Sequence, residues 1–476
     1  MTQTVNLTWD DLDRAAEANR LATVARRAGG QPSTSDVPAG RSRLLGVDAA
    51  RGAALLAMIA VHSLPESDAA GQPTWWFTAF AGRAAAAFAV LAGVGIAFLT
   101  ARQRVRLTAG SGPVAALVVR ALAIGAIGLA LGYADASVAS VILPFYAVMF
   151  LLAIPLVFLP TWLVAVTGVV AAAAAPVLQH LLLPRLPEPT YDNPGFAQLV
   201  GDPVALLTEL TVTGEFPAMT WLAYLCAGLV VGRLALTGRR AILWMLGTGA
   251  ALAVAAPVAS SVLLHRYGGL QQISVTQPTS GLDATQIAEF LAFGGDGSTP
   301  TSTWWWLAVD APHTGTPLDL LATTGSALAL LAVLLLASRV ARSLPRWVIS
   351  LLLVPLAAAG GMALTLYTAH ILFINSDLDS FAPGTGYLAQ VVAFVLFACA
   401  WWATAGRGPL EGLVSAISGG ARRLAARDGR RLNVGAGGPA GGVARTTGPG
   451  GTGTSRYAPE PRRYRVEPPA ARWRPG

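Results

Sequence analysis

Asp48 and Arg51 open an apolar run that ends in a histidine, reading Val47-Asp48-Ala-Ala-Arg51-Gly and then ten further residues to His62. Residues three apart share one face of a helix, so the acid and the base can neutralise each other. His62 lies eleven residues beyond Arg51, ~16 Å further along a helix. One apolar helix thus carries a charge pair near one face of a bilayer and an imidazole near the other. Ionisable groups cost energy in lipid and mark pathways or reaction centres there. The structural alternative is a charge pair that locks helices together beside an interfacial histidine.

Other residues could join this chemistry. Arg83 sits among small residues in Gly82-Arg83-Ala-Ala-Ala-Ala-Phe88. Small residues let a neighbouring helix approach or leave room for a ligand, and a guanidinium there can hold a carboxylate, a phosphate or a developing oxyanion. It can equally serve as a structural partner for Glu215 or Asp319. Both of those acids open apolar stretches, where the helix dipole favours a carboxylate as a cap. Tyr367 and His370 are three apart and share a face. His313 lies in a long polar loop, and His62, His180, His265, His313 and His370 are all the histidines in the chain. Histidine moves protons near neutral pH, as acyl transfer to a hydroxyl or an amine requires. The paired-histidine spacings of a zinc site are absent, so no metal is expected.

The elements that must position these groups follow from composition. Of 476 residues, 54% are hydrophobic and 12% charged, with a mean hydropathy of +0.55. A soluble domain carries about 25% charge. The chain reads as an all-α, polytopic integral membrane protein. Ten apolar stretches predict transmembrane helices near 44–64, 77–100, 113–133, 138–159, 161–183, 216–237, 241–265, 317–338, 348–374 and 385–405. Cys226 and Cys399 fall inside them as small buried hydrophobes. All 33 basic residues are arginine. Arg41, Arg43, Arg102, Arg104, Arg106, Arg239, Arg240, Arg339, Arg342, Arg346 and Arg407 fall on one side of the spans, which makes that side cytoplasmic and places both termini there. All five histidines then face outward. The plasma membrane is the expected location, with the first helix acting as the insertion signal.

Three regions result: a polar segment 1–40, disordered or forming a short surface helix over 8–28; a helical domain 41–405; and a tail 406–476. The tail carries 13 arginines against four acids and is rich in Gly and Pro. It is expected to be disordered and drawn to anionic lipid. Nucleic acid is a poor fit, since no recognition motif accompanies the charge. The outer loops 184–215 and 266–316 are long enough to form a lid or a substrate platform. Trp304-Trp305-Trp306 in the second loop reads either as part of it or as an interfacial belt.

Taken together, several motifs resemble the transmembrane acyltransferase superfamily, nearest to actinobacterial proteins of heparan-alpha-glucosaminide N-acetyltransferase-like and YeiB type. They are Val47-Asp48-Ala-Ala-Arg51-Gly with His62, Gly82-Arg83 through Gly93, Thr213-Gly-Glu-Phe-Pro217 with Trp221-Leu-Ala-Tyr224 and Gly232-Arg233, Ala311-Pro-His313 through Asp319, and Leu364-Thr-Leu-Tyr367-Thr-Ala-His370. The resemblance spans about residues 41–405. It implies transfer of an acyl group, commonly acetyl from cytoplasmic acyl-CoA, to an acceptor across the membrane. The heparan-type enzymes place their active histidine after the first helix. Loop 65–76 has none here, so the role falls to His62.

On this reading the acceptor is a cell-envelope sugar, glycolipid or lipid-linked glycan. His62 is general base or transient acyl carrier, and Arg83 holds the oxyanion or an anionic acceptor. Asp48 and Arg51 order the mouth where the cofactor acyl-CoA enters, and His313, Tyr367 and His370 bind the acceptor. Membrane lipids are the other partners, and the sequence leaves the oligomeric state open. The alternative is a transporter or flippase for an envelope precursor or small solute, using the same buried charges as a gated pathway.

Overall fold

The first helix, α1 (Leu45–Ser63), turns its small residues inward: Gly46, Ala49, Ala50, Gly52, Ala54 and Ala60 are all buried. Such residues let backbones meet, as membrane helices require in the absence of a hydrophobic drive between them. At Gly52 a Cβ would stand 1.9 Å from the carbonyl oxygen of Leu356, and at Gly360 one would stand 1.8 Å from that of Asp48. The charged end of α1 is therefore pressed backbone to backbone against α14 (Arg346–Gly360).

The computed structural model describes residues 44–107, 110–234, 236, 238–277, 281–340 and 346–435. The expected helix or disorder over 1–40, and the tail beyond 435, lie outside these residues. After α1 come α2 (Trp75–Phe80), α3 (Arg83–Leu99), α4 (Ser111–Leu131), α5 (Leu143–Val157) and α6 (Thr161–Leu182). Next are the short α7 (Phe196–Gly201) and α8 (Pro203–Thr208), then α9 (Ala218–Arg233) and α10 (Arg239–Ser261). The chain goes on through α11 (Gly269–Val275), α12 (Ala284–Phe293), α13 (Pro317–Val340), α14, α15 (Ala363–Ile374), α16 (Pro383–Ala405) and α17 (Pro409–Gly435). Among the described residues there is no strand, only an isolated bridge between Ser67 and Pro73.

A helix stands at each of the ten expected places, and the chain is a multi-pass, all-helical membrane protein. Among the described residues, seven helices are long and apolar enough to cross a bilayer unbroken. Two further candidates are bent: residues 203–213 with α9 by 55°, and 351–360 with α15 by 79°. The tenth, α5, has 15 residues and so reaches only ~22 Å of a ~30 Å core. The extensive packings join α10 to α13, α9 to α3, α14 to α1 and α4 to α5.

One expectation is corrected. The tail is not disordered from residue 406, because 409–435 forms α17. Its apolar residues recur at helical spacing, and Val414 and Ser418 are buried. The Glu411 carboxylate accepts hydrogen bonds from Leu364 N (2.7 Å), Thr365 N (3.2 Å) and Thr365 Oγ1 (2.6 Å), capping the first turn of α15. The three tryptophans divide, with Trp304 54% exposed and the other two turned inward. Trp306 is fully buried in a small second core with Leu264, Ile273 and Ile287, and Trp305 packs against it.

Candidate active site

His62 comes from the last turn of α1, and His370 from α15, whose buried residues Leu366, Tyr367, His370, Ile371 and Ile374 form one helical stripe. The bend before α15 swings that stripe onto the last turn of α1. His62 Nδ1 and His370 Nε2 lie 3.0 Å apart, with near-parallel rings. Behind them, Gln390 is one of the few buried residues of α16. Its Oε1 lies 2.7 Å from His370 Nδ1, and its Nε2 donates to Ser63 Oγ at 3.2 Å. His370 is 0% exposed and both its ring nitrogens are engaged. It stands behind His62, with its two ring nitrogens turned to His62 and Gln390.

His313 lies within electrostatic reach of His62. His313 is held in a strained backbone conformation, φ +56°, that non-glycine residues seldom adopt. The strap Gly294–Gly297 fixes it: Gly295 N donates to Pro312 O at 3.1 Å and Gly297 N to His313 O at 2.8 Å. Gln179 Nε2 pins the strap by donating to Gly297 O at 3.0 Å. The ring of His313 packs edge-on to Phe216, and its Nδ1 is buried without a hydrogen-bond partner. Burial lowers its pKa to about 4, so the imidazole is neutral at pH 7. A strained residue with an unpaired nitrogen is suited to receive a polar group from a ligand.

Arg83 opens α3 just after Gly82, whose φ of +69° makes the break from α2. Its Nη1 donates to Thr78 O at 2.6 Å. Asp310 and Asp319 both lie within its electrostatic reach. Burial raises the pKa of Asp310, and the guanidinium works against that shift. Asp319 does cap: its Oδ2 accepts from Gly315 N at 3.0 Å while its own N donates to Thr316 Oγ1 at 3.1 Å. Glu215 does not, since α9 has no side-chain cap and Glu215 instead lies against Ser140.

Residues 43–263 match the family described as heparan-alpha-glucosaminide N-acetyltransferase, catalytic. The match covers a little under half of the chain, and over it the chain is similar to that family. No curated protein matches the chain. The heparan-alpha-glucosaminide N-acetyltransferase-like segment contains Asp48, Arg51, His62, Arg83 and Glu215, whereas His313, Tyr367, His370 and Gln390 follow it.

Not every expected residue converges. Tyr367 is buried, and its hydroxyl accepts from Ile142 N at 3.3 Å, so it ties α15 to the start of α5. Asp48 and Arg51 form the expected pair, Nη1 to Oδ1 at 3.1 Å, and Arg51 Nη2 also donates to Leu91 O at 3.4 Å. They lie at the end of α1 opposite His62. His180 packs at a tilt against Trp304, and His265 meets Ser261 O at 3.0 Å. Gln390 escaped the sequence reading. Its one signal was a lone carboxamide inside an apolar span.

Proposed function

We propose that this protein is a membrane acyltransferase moving an acyl group, acetyl in the first instance, from cytoplasmic acyl-CoA to a hydroxyl or amine of an extracytoplasmic envelope sugar or glycolipid. The observation that carries this reading is His62, backed by His370 through Nδ1, with Nε2 left to meet a ligand among the described residues. The match of its segment to an acetyltransferase catalytic family supplies the reaction class.

In the proposed reaction His62 Nε2 takes the proton as the acceptor oxygen or nitrogen attacks the thioester carbonyl. A carbon–oxygen or carbon–nitrogen bond forms, and the carbonyl electrons pass to a tetrahedral oxyanion, for which the Arg83 guanidinium is the proposed stabilising charge. The oxyanion collapses, the carbon–sulfur bond breaks, and the CoA thiolate takes the proton from the His62 imidazolium. His313 positions the acceptor through its unpaired nitrogen. Asp48 and Arg51 flank the donor's cytoplasmic mouth. Both termini lie in the cytoplasm of a plasma-membrane protein with ten spans, as the arginine placement supports.

The two bent helix pairs favour one other reading, because interrupted helices often line transport pathways. Membranes carrying the wild-type protein or His62→Ala are incubated with labelled acetyl-CoA, or with a short panel of longer acyl-CoAs. Covalent label in envelope material from the wild type alone supports acyl transfer. Solute uptake without acyl-CoA turnover would point to transport instead.

A further inference from the structure

Ser63, Gln390, His370 and His62 form one directed chain. The Gln390 amide, with Nε2 donating to Ser63 Oγ, presents its oxygen to His370 Nδ1 at 2.7 Å. A carbonyl oxygen only accepts, so His370 carries its proton on Nδ1 and has a lone pair on Nε2. That lone pair faces His62 Nδ1 at 3.0 Å, so Nδ1 of His62 must carry the hydrogen. The remaining lone pair of His62 then sits on Nε2, the atom left to meet a ligand.

We infer that Gln390 is a positioning residue that acts through His370 to hold His62 in the Nδ1–H tautomer and aim its Nε2 lone pair at the acceptor. This rests on the reading of His62 as the base. The second nitrogen of a histidine commonly sets the tautomer of the first. Here the control is buried: His370 is 0% and Gln390 4% exposed, so water does not compete for these atoms. The groups acting on the His62 ring are His370 and His313, and the group bonded to His370 is Gln390, so no carboxylate fixes the proton in its place.

When Nε2 takes a proton from the acceptor, the Nδ1 hydrogen of His62 can shift toward His370 Nε2. The charge is then shared across two rings, with the Gln390 oxygen still accepting from His370. No proton leaves the pair, and the thiolate later recovers the one taken at Nε2. A neutral carboxamide does this without placing a fixed charge inside the bundle, where burying one is costly.

The test uses the full-length protein in lipid bilayers, with histidines labelled with ¹³C and ¹⁵N and read by solid-state NMR. The His62 signals are identified by their loss in His62→Gln. The inference expects a single Nδ1–H tautomer at His62 in the wild type and in Gln390→Glu, whose carboxylate also accepts from His370. It expects a mixed or reversed tautomer in Gln390→Leu. In parallel, Gln390→Leu should lower kcat at least roughly tenfold and Gln390→Glu should recover it, with the acyl-CoA KM kept within about twofold. An Nε2–H tautomer in the wild type, which needs no variant to fold, would overturn the inference. So would an unchanged tautomer in Gln390→Leu. If the tautomers behave as expected while no acyl-CoA supports transfer, the positioning role stands and the acyltransferase reading falls.

Discussion

His62 and His370 are 308 positions apart in the chain, yet their ring nitrogens meet at 3.0 Å. The meeting depends on the 79° bend between residues 351–360 and α15, which turns the face of α15 carrying His370 onto the last turn of α1. The same bend is held from the other side by Glu411, whose carboxylate occupies the first turn of α15.

That contact has an energetic consequence. Glu411→Ala would leave two backbone N–H groups and the Thr365 hydroxyl without an acceptor, a loss of roughly 1–3 kcal/mol per buried group. Thermal unfolding in detergent should show a clear fall in Tm for Glu411→Ala and a smaller one for Glu411→Gln, which keeps an amide oxygen as acceptor. Equal Tm values for all three proteins would show that the cap contributes nothing.

Gly360 marks the closest backbone approach of α14 to α1. Gly360→Ala would put a methyl group 1.8 Å from Asp48 O, forcing the two helices apart. Overpacking of this kind costs about 1–3 kcal/mol or more. Gly412→Ala on α17 meets nothing within 4 Å and should stabilise slightly, by about 0.5–1 kcal/mol, through helix propensity. Melting curves of the two variants should move in opposite directions.

His313 makes stability depend on pH. Its folded pKa is lowered to about 4, against an ordinary value of 6.5. Between those values the unfolded chain binds the proton and the folded chain does not. The stability present above pH 6.5 is therefore lost as pH falls toward 4, by at most about 3 kcal/mol. His313→Asn tolerates the left-handed backbone and does not titrate. Denaturation between pH 4 and 7 should show a shallower slope for this variant than for the wild type, and matching slopes would remove His313 as the source.

Arg51 bears on the donor. If Asp48 and Arg51 flank the acyl-CoA mouth, Arg51→Gln should raise the acyl-CoA KM about tenfold or less and change kcat little, the signature of lost uniform binding. A fall in kcat at constant KM would place Arg51 in the chemistry. No change in either would leave the pair a helix lock.

Much of the fold is legible in the sequence because each span must hide its backbone in about 20 apolar residues. Thus a helix stands wherever an apolar run was read. What composition hides is where a span breaks. The bend at Gly360-Gly361 lies inside one apolar run, and it alone brings His370 to His62. Single residues at the site were visible as types, as with His62, Arg83 and His313. Their partners were not, since a lone Gln390 in an apolar helix gives no hint of what it faces. At 409–435 the Gly and Arg content of the tail masked the helical spacing of Leu410, Val414 and Ile417.

The most direct measurement uses sealed vesicles holding the protein with its cytoplasmic face outward, envelope glycolipids inside and labelled acetyl-CoA outside only. The account predicts covalently acetylated glycolipid on the inner side for the wild type. With an equal amount of His62→Ala the rate should fall about 10²-fold or more, the usual contribution of a general base. Transfer by His62→Ala at the wild-type rate would contradict the central claim.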